Sequence, residues 1–103
     1  MNPDLTNTNE TIFVQIKQTD ENGNEFWYSR QLAKVLEYTN FRNFTGVIKK
    51  AKQACINSEQ EISEHLVEAN EVLEAGQGAK HTYPSFKFSR YFCYLIIQNA
   101  DPS

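Results

Sequence analysis

Thr39-Asn40-Phe41-Arg42-Asn43-Phe44-Thr45-Gly46-Val47-Ile48-Lys49-Lys50-Ala51-Lys52-Gln53-Ala54-Cys55-Ile56 is the stretch on which the fold turns. At 100° per residue, Phe41, Phe44, Val47, Ile48, Ala51, Ala54 and Cys55 fall on one side of a helix running from about Phe41 to Ile56. Asn40 is placed to cap its start. The other side presents Arg42, Gly46, Lys49 and Gln53, flanked by Thr45, Lys50 and Lys52, and no carboxylate interrupts it from Thr39 to Ser58. The spacing predicts a buried apolar stripe backed by an unbroken basic face.

Immediately upstream, Leu32, Ala33, Val35 and Leu36 form the stripe of a shorter helix, with Ser29 as its cap and an end near Tyr38. Two short helices with about three turn residues between them make a unit of helix-turn-helix size. Further back, Ile12, Val14 and Ile16 alternate with Phe13, Gln15 and Lys17, the pattern of a half-buried strand. Asp20-Glu21-Asn22-Gly23-Asn24 is turn chemistry and Glu25 to Tyr28 the returning strand, so an amino-terminal hairpin is predicted. Residues 1–10 read as a disordered tail and 11–103 as one domain.

Downstream, residues 58–75 support two readings: a short helix capped by Ser63 and holding Leu66 and Val67, or a strand entered by Val72 and Leu73. Gly76-Gln77-Gly78 is a turn, and Tyr83, Phe86 and Phe88 alternate in an extended arm, which predicts a wing-like hairpin around the glycines. Ser89 then caps a last helix, apolar on every side from Tyr91 to Ile97, and Asn99-Ala100-Asp101-Pro102 ends it. The fold class is α+β: small antiparallel hairpins packed on a helix-turn-helix-like pair and a buried carboxy-terminal helix.

Composition agrees with one modest domain. The 103 residues include 25 Leu, Ile, Val and Phe, and a chain of this size buries roughly 65% of its extended surface. No run approaches the roughly 18 apolar residues of a membrane span, and the polar opening from Met1 to Glu10 lacks the pattern of a secretory signal. Two cysteines, Cys55 and Cys93, fit a reduced cytoplasmic compartment better than a disulfide framework. The net charge of −3 hides segregation: residues 29–57 carry +5, residues 58–75 carry −6, and the flanks carry −4 and +2. Such blocks create local fields that net charge does not report.

The residues of catalysis are missing from the pattern. Both cysteines sit in apolar helix stripes, where core packing is the plain reading. His65 and His81 have no Cys or His at metal-ligand spacing, so neither a metal nor another cofactor is expected. The six glutamates from Glu59 to Glu74 are more simply a solvated face than an acid–base pair. Phosphate-binding loops, dinucleotide fingerprints and nucleophile elbows are absent. An enzyme is therefore not expected. The basic helix face points elsewhere: Lys and Arg neutralise phosphates, and Arg, Asn and Gln pair with base edges. A solubilising lysine face explains the composition equally well.

Particular strings shift that balance. Phe26-Trp27-Tyr28-Ser29-Arg30-Gln31-Leu32-Ala33-Lys34-Val35-Leu36, Tyr38, Asn43-Phe44, Val47-Ile48-Lys49-Lys50-Ala51, Glu64-His65 and Gly76-Gln77-Gly78-Ala79-Lys80 resemble the amino-terminal domain of the DNA-damage-inducible protein D family. Ser89-Arg90-Tyr91-Phe92-Cys93-Tyr94-Leu95-Ile96-Ile97-Gln98-Asn99 is the most specific of them. That family is similar to the wider group of Bro amino-terminal domains of baculovirus proteins and phage antirepressors. The resemblance implies DNA binding and a place in the bacterial response to DNA damage or in phage regulation. It also implies a further helical region beyond Asp101-Pro102, without which residues 90–97 lose cover and become a predicted homodimer contact. The family pattern has an acidic residue where Pro84-Ser85 stand, which predicts an altered approach to Ser89.

The expected DNA-facing residues are Arg42, Lys49, Lys50 and Gln53, with Asn40, Asn43 and Thr45 beside them. Arg30 and Lys34 are expected on phosphate near the first helix, and Lys80 at the wing tip. The rival expectation is a protein-interaction module whose acidic block engages a basic partner such as a recombinase or repair protein. Under either reading the protein is placed in the cytoplasm, the first associating it with the nucleoid, and no membrane is involved.

Overall fold

The computed structural model describes residues 12–74 and 76–100. Its elements are strands β1 (Gln18–Thr19) and β2 (Glu25–Tyr28), helices α1 (Ser29–Val35) and α2 (Phe41–Asn57), a 3-10 turn at Ile62–Glu64, strands β3 (Leu66–Glu74) and β4 (Lys80–Phe88), and helix α3 (Arg90–Asn99). The two hairpins join into one antiparallel sheet of order β1-β2-β4-β3, because Trp27 and Tyr28 pair with Phe88 and Lys87. The class is α+β, as the periodicities require.

Each turn has a visible cause. Between β1 and β2, the Asp20 carboxylate accepts from the amides of Asn22 and Asn24, both at 2.9 Å, while Gly23 takes a φ of 83°. Those amide bonds lower the Asp20 carboxyl pKa. Asn40 caps α2 by accepting from the Arg42 amide. Ser89 caps α3 by accepting from the Phe92 amide. Helices α1 and α2 end alike. Tyr38 N–H reaches back to Ala33 and Glu37 N–H to Lys34, and Gln60 N–H reaches Cys55 and Glu59 N–H Ile56. These are Schellman closures, in which the residue after the cap turns left-handed. Here that residue is a glutamate both times, Glu37 at φ 65° and Glu59 at φ 61°.

The core lies between the sheet and the helices. Trp27, Phe44, Phe88 and Phe92 are its largest fully buried side chains, joined by Leu32, Ile96, Cys55 and Cys93. Burying one large apolar side chain contributes roughly 1.5–3 kcal/mol, so this cluster dominates the stabilisation. Helix α2 lays its stripe chiefly against α3 and touches α1 less. Across the base of the sheet, Arg90 grips Glu25 through Nε at 2.6 Å and a terminal nitrogen at 2.9 Å, which fixes the start of α3 to β2. Burial pushes the thiols of Cys55 and Cys93 up, Cys93 strongly. Both are inert core groups.

Two expectations are corrected and one open alternative is settled. Residues 12–15 are helical, not a strand; Phe13 stacks on Trp27 at 4.3 Å and its carbonyl accepts from the Trp27 indole N–H. Ile12, Phe13 and Ile16 fit a helical stripe as well as Ile12, Val14 and Ile16 fit a strand, and the indole selects the helix, leaving Val14 exposed. Ser29 is the first residue of α1, not its cap, since Tyr28 occupies that position without a side-chain bond. Leu66 and Val67 belong to β3, and Ser63 lies in the 3-10 turn. The hairpin around Gly76-Gln77-Gly78 forms as expected, with Gln77 left-handed between two left-handed glycines. Despite Pro84-Ser85, the Ser89 cap is intact. The tail at residues 1–10 and the stop at Asp101-Pro102 lie outside the described residues.

Candidate nucleic-acid interface

Helix α2 places Arg42, Asn43, Thr45, Lys49, Lys50, Lys52 and Gln53 on its exposed side, while Phe44, Val47, Ile48, Ala51 and Cys55 are buried beneath them. The apolar stripe fixes the helix's rotation and therefore fixes which side faces out. At 1.5 Å per residue, Arg42 and Gln53 stand about 16 Å apart along the axis.

Among the described residues, the cations on this face have no ion-pair partner; the one ion pair there is Arg90 with Glu25. Nor does the arrangement favour the helix itself. Arg42 lies in the first turn, where no acidic residue is present, although the helix dipole favours negative charge there by roughly 0.3–1 kcal/mol. Lys49 and Lys52 are like charges one turn apart, a spacing that mildly destabilises a helix. Gly46 sits in the middle of the face, and a Cβ built there would meet nothing within 4 Å. A glycine in an exposed helix interior costs about 1 kcal/mol relative to alanine. Helix stability explains none of these three features.

The remaining predicted residues divide by role. Thr45 donates its hydroxyl to the Arg42 carbonyl, and Gln53 donates to Asn57 at 3.0 Å. Both remain at the surface, where such bonds exchange readily. Asn40 spends its carbonyl oxygen on the cap. Arg30 is the predicted residue most committed elsewhere: its Nε donates to the Pro84 carbonyl at 2.7 Å. Its guanidinium lies over Phe41 at 4.1 Å and Tyr83 at 5.3 Å. It ties α1 and α2 to the hairpin. Lys34 is exposed in the last turn of α1, bordering a shallow hollow shared with Tyr38, Phe41 and Leu73. Lys80 is exposed at the first position of β4. The composite face is therefore α2 itself, with Lys34 and Lys80 on separate elements. Gly46, already placed on this face by the helical spacing, is exposed at mid-helix.

The acidic block resolves into several environments. Glu59 closes α2, and Glu61, Glu64, Glu68 and Glu74 are exposed. Glu71 is 3% exposed, with Oε1 accepting from the Ser85 hydroxyl at 2.8 Å. Ser29 bonds Ser85 at 2.8 Å, and the Phe86 amide donates to Ser29. Among the described residues, no hydrogen bond of ordinary geometry reaches the Glu71 Oε2. Burial raises the Glu71 carboxyl pKa, against hydrogen bonds from Ser85 and the Arg30 backbone that lower it. His65 is structural: its Nδ1 meets the Ser89 hydroxyl at 2.7 Å and its carbonyl accepts the Ser89 amide.

Among the described residues no cluster of three His, Cys, Asp or Glu is arranged to hold a metal, and no helix is long and apolar enough to cross a membrane. A family model described as "BRO family, N-terminal domain" matches residues 15–103. The chain is 40% identical over 97 residues to the DNA damage-inducible protein D of Escherichia coli strain K12. That match takes in 94% of this chain and 35% of the relative, so the chain spans about a third of that protein's length. No solved structure matches.

Proposed function

The chain belongs to the BRO family of amino-terminal domains, and from that premise we propose that it is a non-catalytic DNA-binding domain of a damage-response or phage-regulatory protein. The name of the Escherichia coli relative supports the biological setting. The observation that carries the binding reading is the α2 face, whose cations have no ion-pair partner among the described residues and whose centre is bare glycine backbone. Arg42, Lys49, Lys50 and Lys52 supply phosphate contacts, and Asn43 and Gln53 supply side chains able to read base edges. Lys34 and Lys80 extend the positive field beyond the helix. Two copies, where they associate, share the exposed Tyr94 and Ile97 strip of α3.

The test is fluorescence anisotropy of labelled single- and double-stranded DNA with the wild-type protein and with Lys49→Glu combined with Lys50→Glu. The double variant is expected to bind more weakly and to lower the salt slope by about one for each lost contact. An unchanged slope removes α2 from the interface. A preference for duplex identifies groove docking, whereas a preference for single strands identifies binding along an unpaired backbone.

A further inference from the structure

Among the described residues, nothing pairs with the outer edge of β3. In the sheet order β1-β2-β4-β3 it is the terminal strand, nine residues long and free of proline and lysine. The direction of its backbone groups follows from its neighbour. Pro84 offers its carbonyl to Arg30, Phe86 gives its amide to Ser29, and Phe88 pairs with Trp27. Even-numbered residues of β4 thus direct their backbone away from β3. Antiparallel partners alternate between bonded and non-bonded pairs, and even residues of β4 face even residues of β3. The amides and carbonyls of Glu68, Asn70 and Val72 therefore point outward. No backbone hydrogen bond to another described element takes them up.

Edges of this length are commonly guarded by charged side chains, above all lysine, by proline or by a covering segment, and here the charges are all negative. This one also presents Val67 at 50% and Val72 at 61% exposure, with the carboxylates of Glu68 and Glu74 beside them. We infer that β3 is a docking edge for a basic extended segment of a partner protein, which adds to the sheet as a fifth strand. Main-chain bonds to Glu68, Asn70 and Val72 supply the attachment, and side chains opposite Glu68, Val72 and Glu74 supply the selection. An antiparallel guest places cations opposite Glu68 and Glu74, six residues apart, with a β-branched residue opposite Val72. A second copy is a poor guest, because it brings Glu68 and Glu74, with Glu59, Glu61 and Glu64 close by in sequence, against the same charges. Residues 1–11 are a poor guest for the same reason, carrying Asp4 and Glu10 with no lysine or arginine.

The test uses a capped peptide, Lys-Thr-Val-Thr-Thr-Thr-Lys, followed by amide exchange in NMR spectra of the intact chain. In the free protein the amides of Glu68, Asn70 and Val72 exchange fast, and those of Ala69 and Glu71, bonded to β4, exchange slowly. Millimolar peptide is expected to slow the first set. The same peptide with proline at its fifth position, which has lost the N–H facing Asn70, is expected to bind about tenfold more weakly or less, in line with losing main-chain bonds. Asn70→Pro removes one outward donor without touching the β4 ladder, since Asn70 faces Pro84 in a non-bonded pair, and it is expected to abolish binding with the fold retained. Should that variant unfold, Glu68→Lys with Glu74→Lys serves instead, and is expected to exchange the lysine peptide for its glutamate counterpart. Equal binding of the proline peptide overturns the inference, as does failure to slow these three amides. Slowing with protein concentration alone assigns the edge to a second copy and overturns it equally.

Discussion

Glu37 and Glu59 hold left-handed backbone at the ends of α1 and α2, a conformation that costs a non-glycine residue roughly 1–2 kcal/mol. Glycine adopts it freely but loses more entropy on folding. Glu37→Gly and Glu59→Gly are each expected to stabilise the domain by about 0.5–1 kcal/mol, measured as a higher urea midpoint at unchanged slope. A lower midpoint shows that the glutamate side chains have a structural role that outweighs the backbone. Glu71 gives a pH signature. Its folded pKa lies above the ordinary 4.5, so the folded state binds the proton more tightly. The stability this supplies is complete below pH 4.5 and is lost as pH rises through the raised value. Glu25 acts in the opposite sense. The Arg90 hydrogen bonds lower its pKa below 4.5, so its contribution is present above that pH and is lost as pH falls through the lowered value. The two windows do not overlap. Glu71→Gln is expected to flatten the stability profile above pH 4.5 while leaving the acid limb in place. An unchanged profile above pH 4.5 contradicts the assignment.

At the scale of the elements, α2 was legible and the segment before β1 was not. A stripe of seven apolar positions over four turns admits one rotation of the helix, and Asn40 marks its start. Ile12 to Ile16 spans too few residues for period two and period 3.6 to separate, and the deciding contact, the Trp27 indole, lies fourteen residues away. Residues 58–75 were ambiguous for a related reason. Leu66, Val67, Val72 and Leu73 suit either state locally, and the pairing with β4 makes them a strand. The commitment of Arg30 to Pro84, Phe41 and Tyr83 was invisible because it joins three separate parts of the chain. Gly46 was visible, but its meaning needed the exposure of α2. Gly46→Ala is expected to raise the melting temperature by about 4–8 °C, the equivalent of roughly 1 kcal/mol in a domain of this size. Under the proposed DNA contact it is also expected to weaken duplex binding, because the added methyl group stands on the side proposed to face the duplex. Stabilisation with unchanged affinity removes the close-approach role of Gly46.

For the whole molecule, net charge is a poor guide and charge placement a good one. Four of the six cations of the basic block, Arg42, Lys49, Lys50 and Lys52, lie on the outer face of α2. Much of the acidic block folds into an open sheet edge, so one small domain offers surfaces of opposite sign. Both surfaces lie within the part of the chain, residues 15–103, that matches the BRO amino-terminal domain. The most direct test of the DNA-binding account is the affinity of the wild-type chain for duplex DNA as salt rises from about 50 to 200 mM, a range in which phosphate contacts dominate. Four contacts, from Arg42, Lys49, Lys50 and Lys52, predict a log–log slope of about −3 to −4 and an affinity loss on the order of a hundredfold. No binding at the lowest salt, or binding indifferent to salt, contradicts the account.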